Sequence, residues 1–230
     1  MDNSLEDKSV ELFKRRIFLS LILPLIFILL LWIIRFVEYE FKISLYTLGV
    51  MPLTLKGLPG IILSPLIHAD ARHLLNNSLP LLILGSALFY FYSDIALRVI
   101  IISWIWTGIL VWLLGRESWH IGASGLIYSL AAFLFVSGII RSYMRLLALS
   151  LLVAYLYGSM VWGMFPFVDV HISWEAHMMG AFCGLIMAFW YRKEGPQKPE
   201  PRWLDDDEGD IWEPDQDDNL LPDKNIENEK

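Results

Sequence analysis

Residues 121–140 read IGASGLIYSLAAFLFVSGII, twenty residues without a charge. An apolar run of that length crosses a bilayer core of about 30 Å as an α-helix rising 1.5 Å per residue. It opens on Gly122-Ala123-Ser124-Gly125, a serine between glycines. Some fifty residues on, a second apolar run over 174–191 carries His177. A histidine at membrane depth costs free energy and is by default a functional site. The two runs together point to a polytopic membrane protein with chemistry inside it.

Working outward, six segments read as spans: 17–34, 73–91, 97–114, 121–140, 146–165 and 174–191. Lipid offers the backbone no hydrogen bonds, so spans are helices or strands of a closed barrel. These runs are continuous rather than alternating, which excludes the barrel. The fold class is an all-α polytopic membrane protein, one bundle of six transmembrane helices. Composition agrees: a chain that is 56% hydrophobic, with 10 Trp, is too apolar for a soluble domain.

The net charge of −7 belongs to the end of the chain. Residues 196–230 hold 13 Asp and Glu against 4 Lys and Arg, which leaves the first 195 residues at +2. The charge therefore says nothing about the substrate. The tail is rich in Pro, Asp, Glu and Asn without apolar periodicity, and reads as disordered. Trp203 and Trp212 lie in it as possible partner anchors, with a bland linker the simpler reading. Lys14-Arg15-Arg16 precedes an 18-residue run with no small-x-small site after it, so a first transmembrane helix is expected rather than a cleaved signal. Cys183 is the only cysteine, so no intrachain disulfide can form, and it reads as an apolar filler. No phosphate-cradling loop, metal-spaced cluster or basic stripe is present. No cofactor, metal or nucleic-acid partner is expected.

Three regions follow: a cytoplasmic segment 1–16, a membrane domain 17–192 and an acidic cytoplasmic tail 193–230. With both termini in the cytoplasm, nine Lys and Arg near the spans fall inside and five outside, the direction of the positive-inside rule. Residues 92–96 and 141–145 are tight turns. Residues 35–72 form one long outer segment that mixes Phe36, Tyr39, Phe41 and Tyr46 with Glu38, Glu40 and Lys42, a composition suited to the membrane interface. Residues 163–173 are short, apolar and Pro-containing, fit to cap a cavity.

The polar residues form three groups. Ser124 at a helix start has an ordinary reading as a cap. Its glycines let the backbone approach closely, and a helix start also presents unpaired N–H groups to an oxyanion. His177 in lipid needs a partner. It is either a structural histidine on a backbone carbonyl or a general base for Ser124, whose hydroxyl is a weak nucleophile unaided. Gly180 and Gly184 share the His177 face at i+3 and i+7 and let that face dock closely on a neighbouring helix. Tyr128, one turn beyond Ser124, can pack its ring on the imidazole. His73 and Asn77 share a face at i and i+4, either as interhelical glue or as donors to a developing negative charge. Asp169 lies in a loop and Glu175 near the interface, so neither is placed as a third triad member. The reading is a Ser/His dyad.

On these motifs the chain resembles the rhomboid intramembrane serine proteases. The resemblance covers about residues 17–192. It rests on His68-x4-His73-x3-Asn77, Gly122-x-Ser124-Gly125 with Tyr128, and Ala176-His177-x2-Gly180-x3-Gly184. It implies Ser124 as nucleophile and His177 as general base. It implies His73, Asn77 and the Ser124 N–H as the oxyanion hole, and His68 as structural. Residues 35–72 would be a lipid-embedded first loop and 163–173 a cap. Substrates would be transmembrane proteins cut in or beside an easily unwound helix. The implied location is the plasma membrane. Two departures stand out: the first loop lacks the Trp-Arg pair that many members carry, and Phe89 stands where many have a glutamate. Three alternatives make other demands. An inactive relative that binds membrane proteins would have lost Ser124 or His177. A transporter would show inverted repeats. A scaffold would leave the polar groups unexplained.

Overall fold

A computed structural model describes residues 3–166 and 173–198. Asp169 and His171 lie outside the described residues, as does the tail from 199, with Trp203 and Trp212. Among the described residues the chain is helical, and the one β feature is an isolated antiparallel bridge between Val50 and His120.

Helix α1 (Asn3–Phe41) is followed by three short 3-10 turns and the one-turn α2 (Gly60–Leu63). Then come α3 (Ala71–Phe91), α4 (Ala96–Leu114), α5 (Ser124–Arg141), α6 (Met144–Tyr157) and α7 (Trp174–Trp190). A 3-10 segment, Gly158–Met164, extends α6. Five helical stretches are long and apolar enough to cross a membrane: α1, α3, α4, α5 and α6 with its extension. The expected sixth, α7, is present but has 17 residues and falls below that length. The protein is an integral, multi-pass helical membrane protein.

Helix ends depart from the apolar runs for local reasons. Helix α1, expected over 17–34, runs 39 residues, about 58 Å at 1.5 Å per residue, because charged residues at both ends are compatible with helix beyond the apolar core. Helix α5 starts at Ser124 rather than 121 because Gly122 has φ +106°, a conformation that L side chains rarely adopt. Helix α6 gives way to 3-10 geometry at Gly158, whose surroundings are open.

Helix α5 is the centre. Across its span 61% of residues are buried, against 17% for α1, which faces outward. Leu126, Ile127, Leu130, Phe133 and Leu134 on α5 pack with Leu74, Leu81 and Leu84 of α3. Helix α7 lies directly on α5. A Cβ at Gly180 would strike the Gly125 carbonyl, and one at Gly184 the Ser129 carbonyl, so both glycines are at backbone contact. At the far end of the bundle Arg141 ties α5 to α7. Its guanidinium donates to Ser137 Oγ, to the Tyr191 carbonyl (2.6 Å), to the Glu194 carbonyl and to the Pro196 carbonyl (2.9 Å), and lies over the Tyr92 ring.

The first loop is anchored without a Trp-Arg pair of its own. Glu38, 5% exposed, accepts from Leu45 N–H (2.9 Å) and pairs with Arg35 (3.2 Å). Two indoles of α4 reach across to it: Trp104 Nε1 donates to the Ile62 carbonyl (3.0 Å) and Trp112 Nε1 to the Thr54 carbonyl (2.9 Å).

Candidate active site

Ser124 is the first residue of α5, and His177 lies one turn into α7. The close approach of α5 and α7 brings His177 Nε2 within 2.8 Å of Ser124 Oγ. His177 Nδ1 is 2.8 Å from the Gly163 carbonyl. A carbonyl only accepts, so Nδ1 carries the proton and Nε2 presents its lone pair to the serine hydroxyl. The Tyr128 ring stacks on the imidazole, centroids 4.2 Å apart and planes 10° apart. The Tyr128 hydroxyl donates to the Met160 carbonyl (2.7 Å), which fixes the ring in turn. Both alternatives read for His177 are thus present at once: one ring nitrogen meets a backbone carbonyl, the other meets Ser124.

The second wall comes from α3. Asp70 caps its start, accepting from His73 N–H (2.7 Å), a bond that holds the Asp70 carboxyl below its usual pKa. The His73 ring lies against Gly122: a Cβ there would stand 2.8 Å from His73 Cε1, 2.9 Å from Nε2 and 3.6 Å from Asn77 Nδ2. Asn77 is buried, and its Nδ2 has no hydrogen-bond partner among the described residues. His68, 3% exposed, accepts the Ala123 N–H on Nε2 (3.4 Å), its ring edge-on to His73. Burial pushes the His68 pKa down to about 3, so it stays neutral and able to accept.

Ser124, His177, His73, Asn77 and Tyr128 line one cavity of about 720 Å³, with Arg72, Arg116 and Trp119 also on its wall. Among the described residues no cluster of His, Cys, Asp or Glu suits a metal ion. Gly122, Gly180, Gly184 and His68 do not face the cavity; they set the backbone spacing around it.

Three contributors were not legible beforehand. Gly163 acts through its carbonyl. His120 is buried, and both its ring nitrogens are bonded: Nδ1 to Ser173 Oγ (2.6 Å) and Nε2 to the Arg116 carbonyl (3.1 Å). Ser173 caps α7 by accepting from Ala176 N–H (3.4 Å). Glu175, expected near the interface, is 2% exposed and pairs with Arg116 at 3.4 Å.

A multi-pass helical protein with a serine and a histidine in contact within one cavity is a narrow description, and comparison with known proteins gives the chain's family. The rhomboid domain matches residues 57–194. An uncharacterized protein of Mycobacterium tuberculosis strain H37Rv and one of Mycobacterium bovis are each 33% identical over 173 residues, covering 72% of this chain and 72% of theirs. An uncharacterized protein of Mycobacterium leprae is 32% identical over 174 residues, 72% of this chain and 68% of its own. The chain belongs to the rhomboid family.

Proposed function

We propose that the protein is an intramembrane serine endopeptidase that cuts transmembrane segments of other membrane proteins. The observation that carries this reading is the 2.8 Å contact between Ser124 Oγ and His177 Nε2, with Nδ1 held by the Gly163 carbonyl. The serine hydroxyl donates to Nε2. As Oγ attacks a peptide carbonyl, Nε2 takes the proton, and the imidazolium keeps its Nδ1–H on the Gly163 oxygen. The carbonyl and the stacked Tyr128 do the orienting work that a carboxylate does in a triad.

Negative charge then develops on the substrate oxygen. Asn77 Nδ2 is a buried donor with no partner among the described residues, the kind of group that gains most from an oxyanion. His73 beside it and the Ser124 N–H in the first turn of α5 complete the donor set. His177 returns its proton to the departing amine, and a water, activated by the same nitrogen, hydrolyses the acyl-enzyme. His68, Gly122, Gly180 and Gly184 hold the walls at this spacing.

In this reading residues 17–192 form the membrane domain, flanked by cytoplasmic segments 1–16 and 193–230. The protein resides in the plasma membrane with the cavity opening outward. Purified protein in detergent should cleave a generic transmembrane substrate and react with a fluorophosphonate, and Ser124→Ala should do neither. Cleavage that persists in Ser124→Ala, or a wild type that binds substrate without cutting it, overturns the reading. The second result would mark an inactive, substrate-binding relative.

A further inference from the structure

The dyad joins two helices, so something must fix the start of α7 relative to the loop before Ser124. The distant end has Arg141. At the cavity end His120 reaches both. Its backbone pairs with Val50 of the first loop in both directions (2.9 and 2.8 Å). Its Nε2 meets the Arg116 carbonyl at the start of the α4–α5 connection, and its Nδ1 meets Ser173, the cap of α7. The Arg116 carbonyl can only accept, so Nε2 is protonated and Nδ1 accepts from the Ser173 hydroxyl. The same Ser173 oxygen accepts from Ala176 N–H, the residue before His177. The chain of bonds therefore runs from four residues before the serine to one residue before the histidine. The Arg116–Glu175 pair spans the same two elements alongside.

We propose that His120 is a positioning residue, which sets the Ser124–His177 geometry through its hydrogen bond to Ser173. The proposal rests on the protease reading and deepens it. His120 also borders the cavity, so contact with substrate is the competing role.

The test uses full-length protein in detergent, with kcat, KM, fluorophosphonate labelling rate and melting temperature from each preparation. Wild type against Ser124→Ala tests the protease reading itself; the remaining variants are informative once wild type is active. Ser173→Gly cuts the link while glycine remains an adequate cap. His120→Ala cuts it from the other side. His120→Asn offers Oδ1 to the Ser173 hydroxyl and gives up only the bond to Arg116. Misplacement of reacting groups by about 1 Å can cost on the order of 10²-fold. We expect His120→Ala and Ser173→Gly each to lower kcat and labelling rate about 10- to 100-fold in folded protein, with KM within about threefold. The double variant should be no worse than either single one, because both remove the same bond. His120→Asn should regain most of the loss. Raised KM with unchanged kcat would assign His120 to substrate contact and overturn the proposal. Additive losses, or normal kcat per folded molecule in the single variants, would overturn it as well.

Discussion

Gly180→Ala tests the packing that brings the dyad together. The new Cβ would strike the Gly125 carbonyl oxygen and stand 2.8 Å from Gly125 C and 3.1 Å from Gly125 Cα. All three atoms are backbone, one residue from Ser124, and none can swing aside. Restoring ordinary contact of 3.4 Å to Gly125 C alone demands about 0.6 Å of separation between α5 and α7, and relieving the oxygen demands more. The Ser124–His177 bond, 2.8 Å long, would stretch to about 3.4 Å or beyond, outside the normal hydrogen-bond range. Overpacking of this kind costs about 1–3 kcal/mol of stability, and the misplacement should lower kcat on the order of 10²-fold. Cleavage of a transmembrane substrate in detergent and thermal denaturation should therefore fall together. Gly158→Ala is the control, since no described residue lies within 4 Å of its added methyl. A Gly180→Ala protein with wild-type turnover and melting temperature would refute the claim that this backbone contact sets the dyad.

Three further outcomes are expected. Asn77→Ala should lower turnover by up to about 10²–10³-fold, softened by the other donors, with KM and melting temperature little changed; a destabilised variant with full turnover per folded molecule would make Asn77 glue instead. Arg141→Ala removes the donor shared by Ser137 and three carbonyls near the end of α7, and should cost about 3 kcal/mol, read as a lower melting temperature, while the dyad at the opposite end keeps its labelling rate. His68 is held neutral when folded, with a pKa of about 3 against an ordinary 6.5, so the folded state binds fewer protons and stability declines as pH falls below 6.5. The His68 share of that loss reaches about 2 kcal/mol at pH 5, and His68→Gln should reduce the pH dependence of the melting temperature between pH 7 and 5.

Much of this architecture was legible in the chain. Apolar runs gave the long helices, and the small faces of Gly180 and Gly184 gave the α5–α7 contact. Tyr128 at i+4 from Ser124 does stack on the imidazole. What escaped has physical causes. Hydropathy measures the thickness of the hydrocarbon rather than the length of a helix, so α1 overran its expected span at both ends. Trp104 and Trp112 lie in an apolar run that gives no sign of their partners, and only the folded path of the first loop brings its carbonyls to their N–H groups. Glu175 is paired by Arg116, 59 positions away, a match that no local pattern encodes. His120 and Ser173 are likewise a loop-to-loop pair, 53 residues apart.

The oxygen that steadies His177 belongs to the main chain of residue 163, and no codon specifies a carbonyl. Random mutagenesis scored for lost cleavage would therefore find no side chain that accepts from His177 Nδ1, the part that the acidic member plays in a triad. It would find position 163 all the same, for the opposite reason. A side chain there would collide with the Tyr128 hydroxyl and crowd His177 Nδ1 at 3.3 Å. Intolerance at Gly163 would look like a demand for emptiness, while the atom at stake survives every substitution and is lost only if the loop moves.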